Sequence, residues 1–162
     1  MRKHIFLTRR DVPLPNWREA FPAARIQNHD VLGTKLAMPG EAMIWLHVDN
    51  HVHNPASLVN TLRESAPGCP LVVLTNIPRD EEGLAVLEAG ATGYASVLAV
   101  AGLLRQIEAV IEHGGLWIGP DLMRRLLQGF ARKEARPQAQ GRLEKLTPRE
   151  REVALAVAAG AT

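Results

Sequence analysis

Three short apolar runs punctuate the chain: Ile5–Leu7, Met43–Leu46 and Leu71–Thr75. Each is too short for a helix, and two are bounded by Pro, Gly or polar turn residues, so each predicts a buried strand. Weaker strand patterns fall at Ala24–Gln27 and Gly93–Ser96. The runs are continuously apolar rather than alternating, which suits a parallel sheet covered on both faces.

Helical patterns lie between them. Asn16–Phe21 is a short one. Pro55–Ala66 carries Leu58, Val59 and Leu62 on one side and closes near Pro67 and Gly68. Asp80–Ala89 opens with acidic residues, which favour a helix N-terminus, and stops at Gly90. Val100–His113 places Leu103, Leu104, Ile107, Val110 and Ile111 on one face before Gly114 and Gly115 end it. Strands alternating with helices predict an α/β fold with a doubly wound, five-stranded parallel sheet.

Beyond this body, Pro120–Glu134 reads as one more helix with Pro at its first turn. Ala135–Arg142 contains Pro, Gly and Gln without apolar periodicity and reads as a flexible linker. A further helix opens at a capping box, with Thr147 as N-cap, Pro148 at the first helical position and Glu150 three residues on. Gly160 closes it. The expected organisation is a domain over 1–118, a linker helix and linker over 119–142, and the start of a second domain over 143–162. A single helix after a linker has nothing of its own to pack on, so the second domain is expected to be incomplete.

Charge sharpens this division. Residues 1–120 hold 10 Lys and Arg against 12 Asp and Glu, net −2, whereas residues 121–162 hold 9 against 5, net +4. A basic tail on a mildly acidic body suits an anionic partner such as nucleic acid; the competing reading is a solvated helix with unpaired arginines. The composition, 46% hydrophobic and 22% charged, excludes bulk disorder. The one cysteine, Cys69, allows no intramolecular disulfide and no thiolate metal cage, which fits a reducing compartment. No apolar run approaches the length of a membrane span or a signal peptide. The expectation is a cytoplasmic protein with no membrane partner.

Leu146–Val153, followed by Ala158–Thr162, resembles the opening of the LuxR-type helix-turn-helix of NarL/FixJ response regulators. The Leu-Thr-x-Arg-Glu-x-Glu-Val core and the Gly closing the first helix carry the match. Gly90-Ala-Thr-Gly-Tyr94 resembles the Gly-Ala-x-Gly-Tyr before the last strand of the same family's receiver domain. Gly114-Gly115 followed by Pro120-Asp-Leu122 resembles that domain's exit from its final helix. The resemblance implies a receiver of flavodoxin-like topology over the body and a DNA-binding domain of which this chain carries the first helix. It also implies a two-component regulator rather than an enzyme, with DNA and a second copy of the chain as partners.

The family's receiver moves a phosphoryl group at the carboxyl edge of its sheet. An acidic pair holds Mg²⁺, an Asp accepts the phosphoryl group, and a hydroxyl and a Lys contact its oxygens. Matched position by position, the acidic pair falls on Thr8 and Arg9, the acceptor on His47, the hydroxyl on Thr75 and the lysine on Val97. Only Thr75 keeps the family's chemistry. Asp11 stands close enough to be a displaced survivor of the acidic pair. The resemblance therefore implies an atypical receiver that works without phosphorylation and without a cofactor.

Other side chains near this edge have two readings each. Asp49 is an alternative acceptor or a turn-forming loop carboxylate beside Asn50. His47, Asp49, His51 and His53 form a dense cluster that suits Zn²⁺ or Ni²⁺, or a pH response, against a solvated loop. Arg9 and Arg10 would meet an anionic ligand or pair with Asp49. Trp45 and Trp117 read as core, and Cys69, between Gly68 and Pro70, as inert. The leading function is a DNA-binding transcriptional regulator acting by phosphorylation-independent dimerisation or ligand sensing. The dimer surfaces expected are residues 100–111 and 120–130. The alternative is a small-molecule or metal sensor acting through protein contacts. No Ser/His/Asp set, phosphate loop or catalytic carboxylate pair supports an enzyme.

Overall fold

A computed structural model describes residues 2–29, 40–144 and Arg149, with the backbone alone over 133–144. Five strands, β1 (Lys3–Leu7), β2 (Arg25–Gln27), β3 (Ala42–Val48), β4 (Leu71–Thr75) and β5 (Gly93–Ser96), form one parallel sheet in the order β2-β1-β3-β4-β5. Helices α1 (Pro15–Ala20), α2 (Pro55–Ser65), α3 (Asp80–Glu88), α4 (Ala101–Glu112) and α5 (Pro120–Glu144) complete the described elements. Every strand pattern read in the sequence is a strand. The apolar runs are the three central strands, which need two-sided cover, and the two weaker patterns are the edges.

Strand alternation sends each residue set to its own face. Phe6, Met43, Trp45, Val72 and Leu74 point to one face, where Trp17, Ala20 and Phe21 of the α1 region pack beside Leu104, Ile107 and Ile111 of α4. Ile5, Leu7, Ile44, Leu46, Leu71 and Val73 point to the other and are equally buried, as are Val59 and Leu62 of α2 and Val86 of α3. Register couples the centre, with Ile5 opposite Ile44, and Ile44 in turn opposite Leu71. The first face is aromatic: Phe6 stacks on Trp17 at 4.7 Å and on Trp45 at 5.5 Å between ring centroids. Trp45 is therefore core, as expected. Trp117 is partly buried against the same cluster, and its backbone bridges Gly93.

Cys69 is buried, and its carbonyl accepts from Arg63 Nη1 at 2.8 Å. Arg63 Nε also donates to the Gly90 carbonyl at 2.7 Å, so one guanidinium ties the end of α2 to two turns. Gly90 takes φ +112°, a conformation that only glycine adopts without strain, and this ends α3 where the sequence placed its stop.

The chain separates into two compact units, Met1–Leu122 and Met123–Thr162. The first is close to the expected body of 1–118. The flexible linker expected over Ala135–Arg142 is corrected: α5 continues through it to Glu144. Its Ala, Arg, Gln, Lys and Glu residues are strong helix formers, and the sequence reading gave Pro137 and Gly141 too much weight against them. The helix-turn-helix opening at Leu146–Val153, with its cap at Thr147, lies outside the described residues apart from Arg149. No helix among the described residues is long and apolar enough to cross a membrane.

Gly83 on α3 makes a close approach possible. A Cβ there would stand 2.6 Å from Leu122 Cδ2 and 2.9 Å from Tyr94 Cδ1. Replacing an interior helix glycine with alanine ordinarily stabilises by about 1 kcal/mol. Here overpacking, typically about 1–3 kcal/mol, acts against that gain because the Tyr94 ring is held by its hydroxyl. Gly83→Ala is expected to lower stability in urea denaturation rather than raise it. A rise would show that the Tyr94 ring yields freely.

Candidate functional site at the carboxyl edge of the sheet

The sheet order reverses between β1 and β3, and in open α/β folds the crevice at such a switch point is where sites form. β1 delivers Thr8 to this edge, β3 delivers His47, and β4 delivers Thr75 and Asn76. The structure thus brings Thr8 and His47 together as the position-by-position matching expected. Thr8 Oγ1 lies 2.9 Å from His47 Nδ1, and His47 Nε2 lies 2.8 Å from Asn76 Oδ1.

These contacts settle the direction of every proton. Asn76 Oδ1 can only accept, so His47 Nε2–H donates to it. Nδ1 then carries the lone pair of a neutral imidazole and accepts from the Thr8 hydroxyl. The Thr8 oxygen in turn accepts the Arg10 backbone N–H at 3.1 Å. His47 is 2% exposed and Thr8 1%, so the bond between them is buried, while the bonds to Asn76 and Arg10 are partly so. Burial pushes the His47 pKa below its ordinary value, and the positive charge of Arg10 adds to this; the Asn76 bond and Asp49 oppose it. The Trp17 ring meets the imidazole edge-on at 5.9 Å between centroids. The Trp17 indole N–H, also buried, has no hydrogen-bond partner among the described residues.

Thr75 is buried too, and it lines a cavity of about 270 Å³ together with Asp49, Asn50, Arg79 and Glu82. The Tyr94 hydroxyl donates to Glu82 Oε1 at 2.9 Å and accepts the Arg79 backbone N–H at 2.9 Å. Arg79 Nη2 closes the set on Glu82 Oε2 at 3.1 Å. Burial raises the Tyr94 pKa to about 12, so the phenol stays neutral. This network clamps the first turn of α3 onto β5.

Val97, at the lysine position, is buried; its N–H donates to the Thr75 carbonyl at 2.9 Å. Its carbonyl accepts from Asn16 Nδ2 at 3.0 Å, and the same amide reaches the Ala99 carbonyl at 2.7 Å. One α1 side chain thereby fastens the loop after β5. Arg9 and Arg10 are exposed beside this edge.

The histidine cluster does not assemble. His47 is inside the sheet with both nitrogens engaged, while His51 and His53 are exposed on the loop after β3. Asp49 Oδ1 accepts the His51 backbone N–H at 3.0 Å, a turn of the kind expected for Asp49-Asn50. Among the described residues no three His, Cys, Asp or Glu side chains are placed to hold a metal ion. The metal reading of His47, Asp49, His51 and His53 is therefore corrected: β3 ends at Val48, so His47 stays buried in the sheet while His51 and His53 fall on the exposed loop that follows. Sequence reasoning assigned no role to Asn76, Asn16 or Glu82. Asn76 directly follows Thr75 and Asn16 opens α1, but only strand order shows what they face.

No protein-family model and no curated protein matches the sequence. Solved structures do match its fold. The RcsB response regulator of Salmonella typhimurium superposes with a TM-score of 0.61 at 16% identity, over 79% of this chain and 67% of that one. A LuxR-family two-component response regulator from an Aurantimonas species gives 0.56 at 16% identity, over 81% and 99% of the two chains. A LuxR-family DNA-binding response regulator from Silicibacter pomeroyi gives 0.54 at 19%, over 74% and 98%. The fold is that of response-regulator receivers, a five-stranded parallel sheet of flavodoxin-like order.

A pH dependence follows from His47. Its folded-state pKa lies below the unfolded one, so folding favours the neutral ring. That contribution is complete above about pH 6.5 and is lost as pH falls toward the folded value, with a slope of up to about 1.4 kcal/mol per pH unit. His4 is shifted the same way, chiefly by burial. Urea unfolding between pH 8 and pH 5 should show stability falling on the acid side, with a shallower fall in His47→Asn. An unchanged slope in that variant would mean the ring accepts a proton in place.

Proposed function

We propose that the chain is the receiver part of a NarL/FixJ-type transcriptional regulator whose receiver works without phosphorylation. The observation that carries this reading is the Thr8–His47–Asn76 bond chain at the edge where the family's receivers do their chemistry. Mg²⁺ does not fit there: its hard-oxygen coordination needs several carboxylates, while this edge offers one loop carboxylate, Asp49, with an oxygen already accepting the His51 N–H, a committed hydroxyl, a neutral imidazole and two exposed arginines. His47 Nδ1 spends its lone pair on Thr8 and is buried, so it is no nucleophile. Without a cation at the Val97 position, charge developing on a transferring phosphoryl group finds no fixed partner.

What phosphorylation would set, this receiver sets by neutral hydrogen bonds. Tyr94 is bonded to Glu82 and to the Arg79 backbone, and Arg79 to Glu82, so this network holds the start of α3. Input then comes from a ligand or from association of two chains. DNA binding belongs to a complete C-terminal domain, of which Leu146–Val153 resembles the first helix.

Of the two dimer surfaces expected, α4 spends its stripe on the core: Leu104, Ile107 and Ile111 are buried, and Val110 is 36% exposed. On α5, Met123, Leu127 and Phe130 are 43%, 61% and 61% exposed. Their spacing of four and three places them on one helical face, the pattern of a two-helix seam. A homodimer through α5 is the favoured association.

Two measurements test this reading. Acetyl phosphate with Mg²⁺ should leave the intact mass unchanged, in the native chain and in His47→Asp, because one restored carboxylate supplies neither the metal site nor the lysine. A stable gain of one phosphoryl group in the native chain, lost in Asp49→Ala, would overturn it. Light scattering at micromolar concentration should give about twice the chain mass, and Leu127→Asp with Phe130→Glu should halve it. A native monomer would remove the dimer from the proposal.

A further inference from the structure

At the opposite edge of the sheet, where β1 begins, a cavity of about 340 Å³ opens between the end of α1, the turn after it and α4. One wall is apolar: Ala20, Phe21, Pro22, Ala23 and Ala24. The other side carries cations, Arg2 and Lys3 at the start of the chain and Arg105 on α4. His4 lies at the base, its ring stacked on Phe21 at 3.7 Å and 12°.

The polar groups differ in how far they are satisfied. His4 Nδ1 accepts from Trp45 Nε1 at 3.1 Å, which leaves the proton on Nε2, and Nε2–H donates to Glu108 at 2.9 Å. The one carboxylate lining the cavity is thus already engaged. Arg105 makes a single bond, Nη1 to the Glu19 carbonyl at 3.3 Å, and keeps most of its five donors. Arg2 Nε stands 4.0 Å from Glu112, the outer limit of an ion pair. Among the described residues Lys3 has no acidic partner. Three cations and one spent carboxylate therefore share the lining of a cavity with five largely apolar residues, Ala20 to Ala24.

We propose that this cavity binds a planar organic monoanion, an aromatic carboxylate of one or two rings. A flat ring fits against the Phe21 side, where apolar area and edge or face contact with the aromatic ring supply most of the affinity. The carboxylate meets Arg105 and Lys3, and a guanidinium presents the paired donors that a carboxylate accepts. The cavity is near the small end of the ~300–1,000 Å³ range of such pockets, a size that suits a molecule of one or two rings. Occupancy would be felt beyond the cavity, because His4 bonds to Trp45 and Trp45 stacks on Phe6, which stacks on Trp17 beside His47. This inference rests on the reading that the receiver takes its input from a ligand, and it names where and what.

The test is a titration of the full chain with 1-naphthoate, followed by tryptophan fluorescence, since Trp45 is bonded to the base of the cavity, and by the shift in Tm. Saturable quenching at micromolar to sub-millimolar acid is expected, with a rise in Tm. The neutral amide, 1-naphthamide, should bind about tenfold more weakly, as should Arg105→Gln and Lys3→Glu. Arg79→Gln, at the other edge, should leave the Kd unchanged. Absence of saturable binding below millimolar acid overturns the proposal, as does equal binding of acid and amide, or loss of affinity in Arg79→Gln but not in Arg105→Gln. None of these failures touches the mass and light-scattering results, so the loss of this site and the loss of the phosphorylation-independent reading can be told apart.

Discussion

Four of the seven aromatic side chains, Phe6, Trp17, Phe21 and Trp45, form one buried layer between β1, β3 and α1, and the rest of the receiver is arranged around it. Ring faces at 4.7–5.5 Å leave little latitude in where α1 sits against the sheet. A helix of six residues has too few hydrogen bonds to stand alone, so its position is owed to Trp17 and to the chain leading to Phe21. Loss of one such ring typically costs about 3–5 kcal/mol, a large part of a domain's stability.

An imidazole stands at each end of this layer. His4 lies on Phe21 and His47 meets Trp17; burial lowers the pKa of both and so favours the neutral ring, while the hydrogen bonds place its proton on Nε2. The two differ in their second partner. His4 gives its proton to a carboxylate beside a cavity, whereas His47 gives it to a half-buried amide.

The His47 end is held by neutral hydrogen bonds. Buried carboxylates side by side repel one another and demand a cation; a hydroxyl, a neutral imidazole and an amide pair completely among themselves. Asn16 joins α1 to the loop after β5 through two carbonyls. The Tyr94, Glu82 and Arg79 network holds the start of α3.

The strands, their parallel arrangement and the helix limits were legible in the sequence because they depend on local pattern. Apolar runs must be covered on both faces, and Gly90 must follow α3 because only glycine accepts φ +112° there. The meeting of Thr8 and His47 was legible only through a family resemblance, since residues 39 positions apart are joined by strand order alone. The metal reading failed for the converse reason. Residues close in sequence were assumed close in space, while β3 ends at Val48, which keeps His47 in the sheet and leaves His51 and His53 on the loop outside. The length of α5 was underestimated because a Pro and a Gly were weighed above the helix formers around them. The bond from His4 to Trp45, the clamp by Asn16 and the cavity lined by Arg105 could not be read from the chain at all. Each joins side chains from separate elements, and only the packing of α1 and α4 on the aromatic face decides which of them meet.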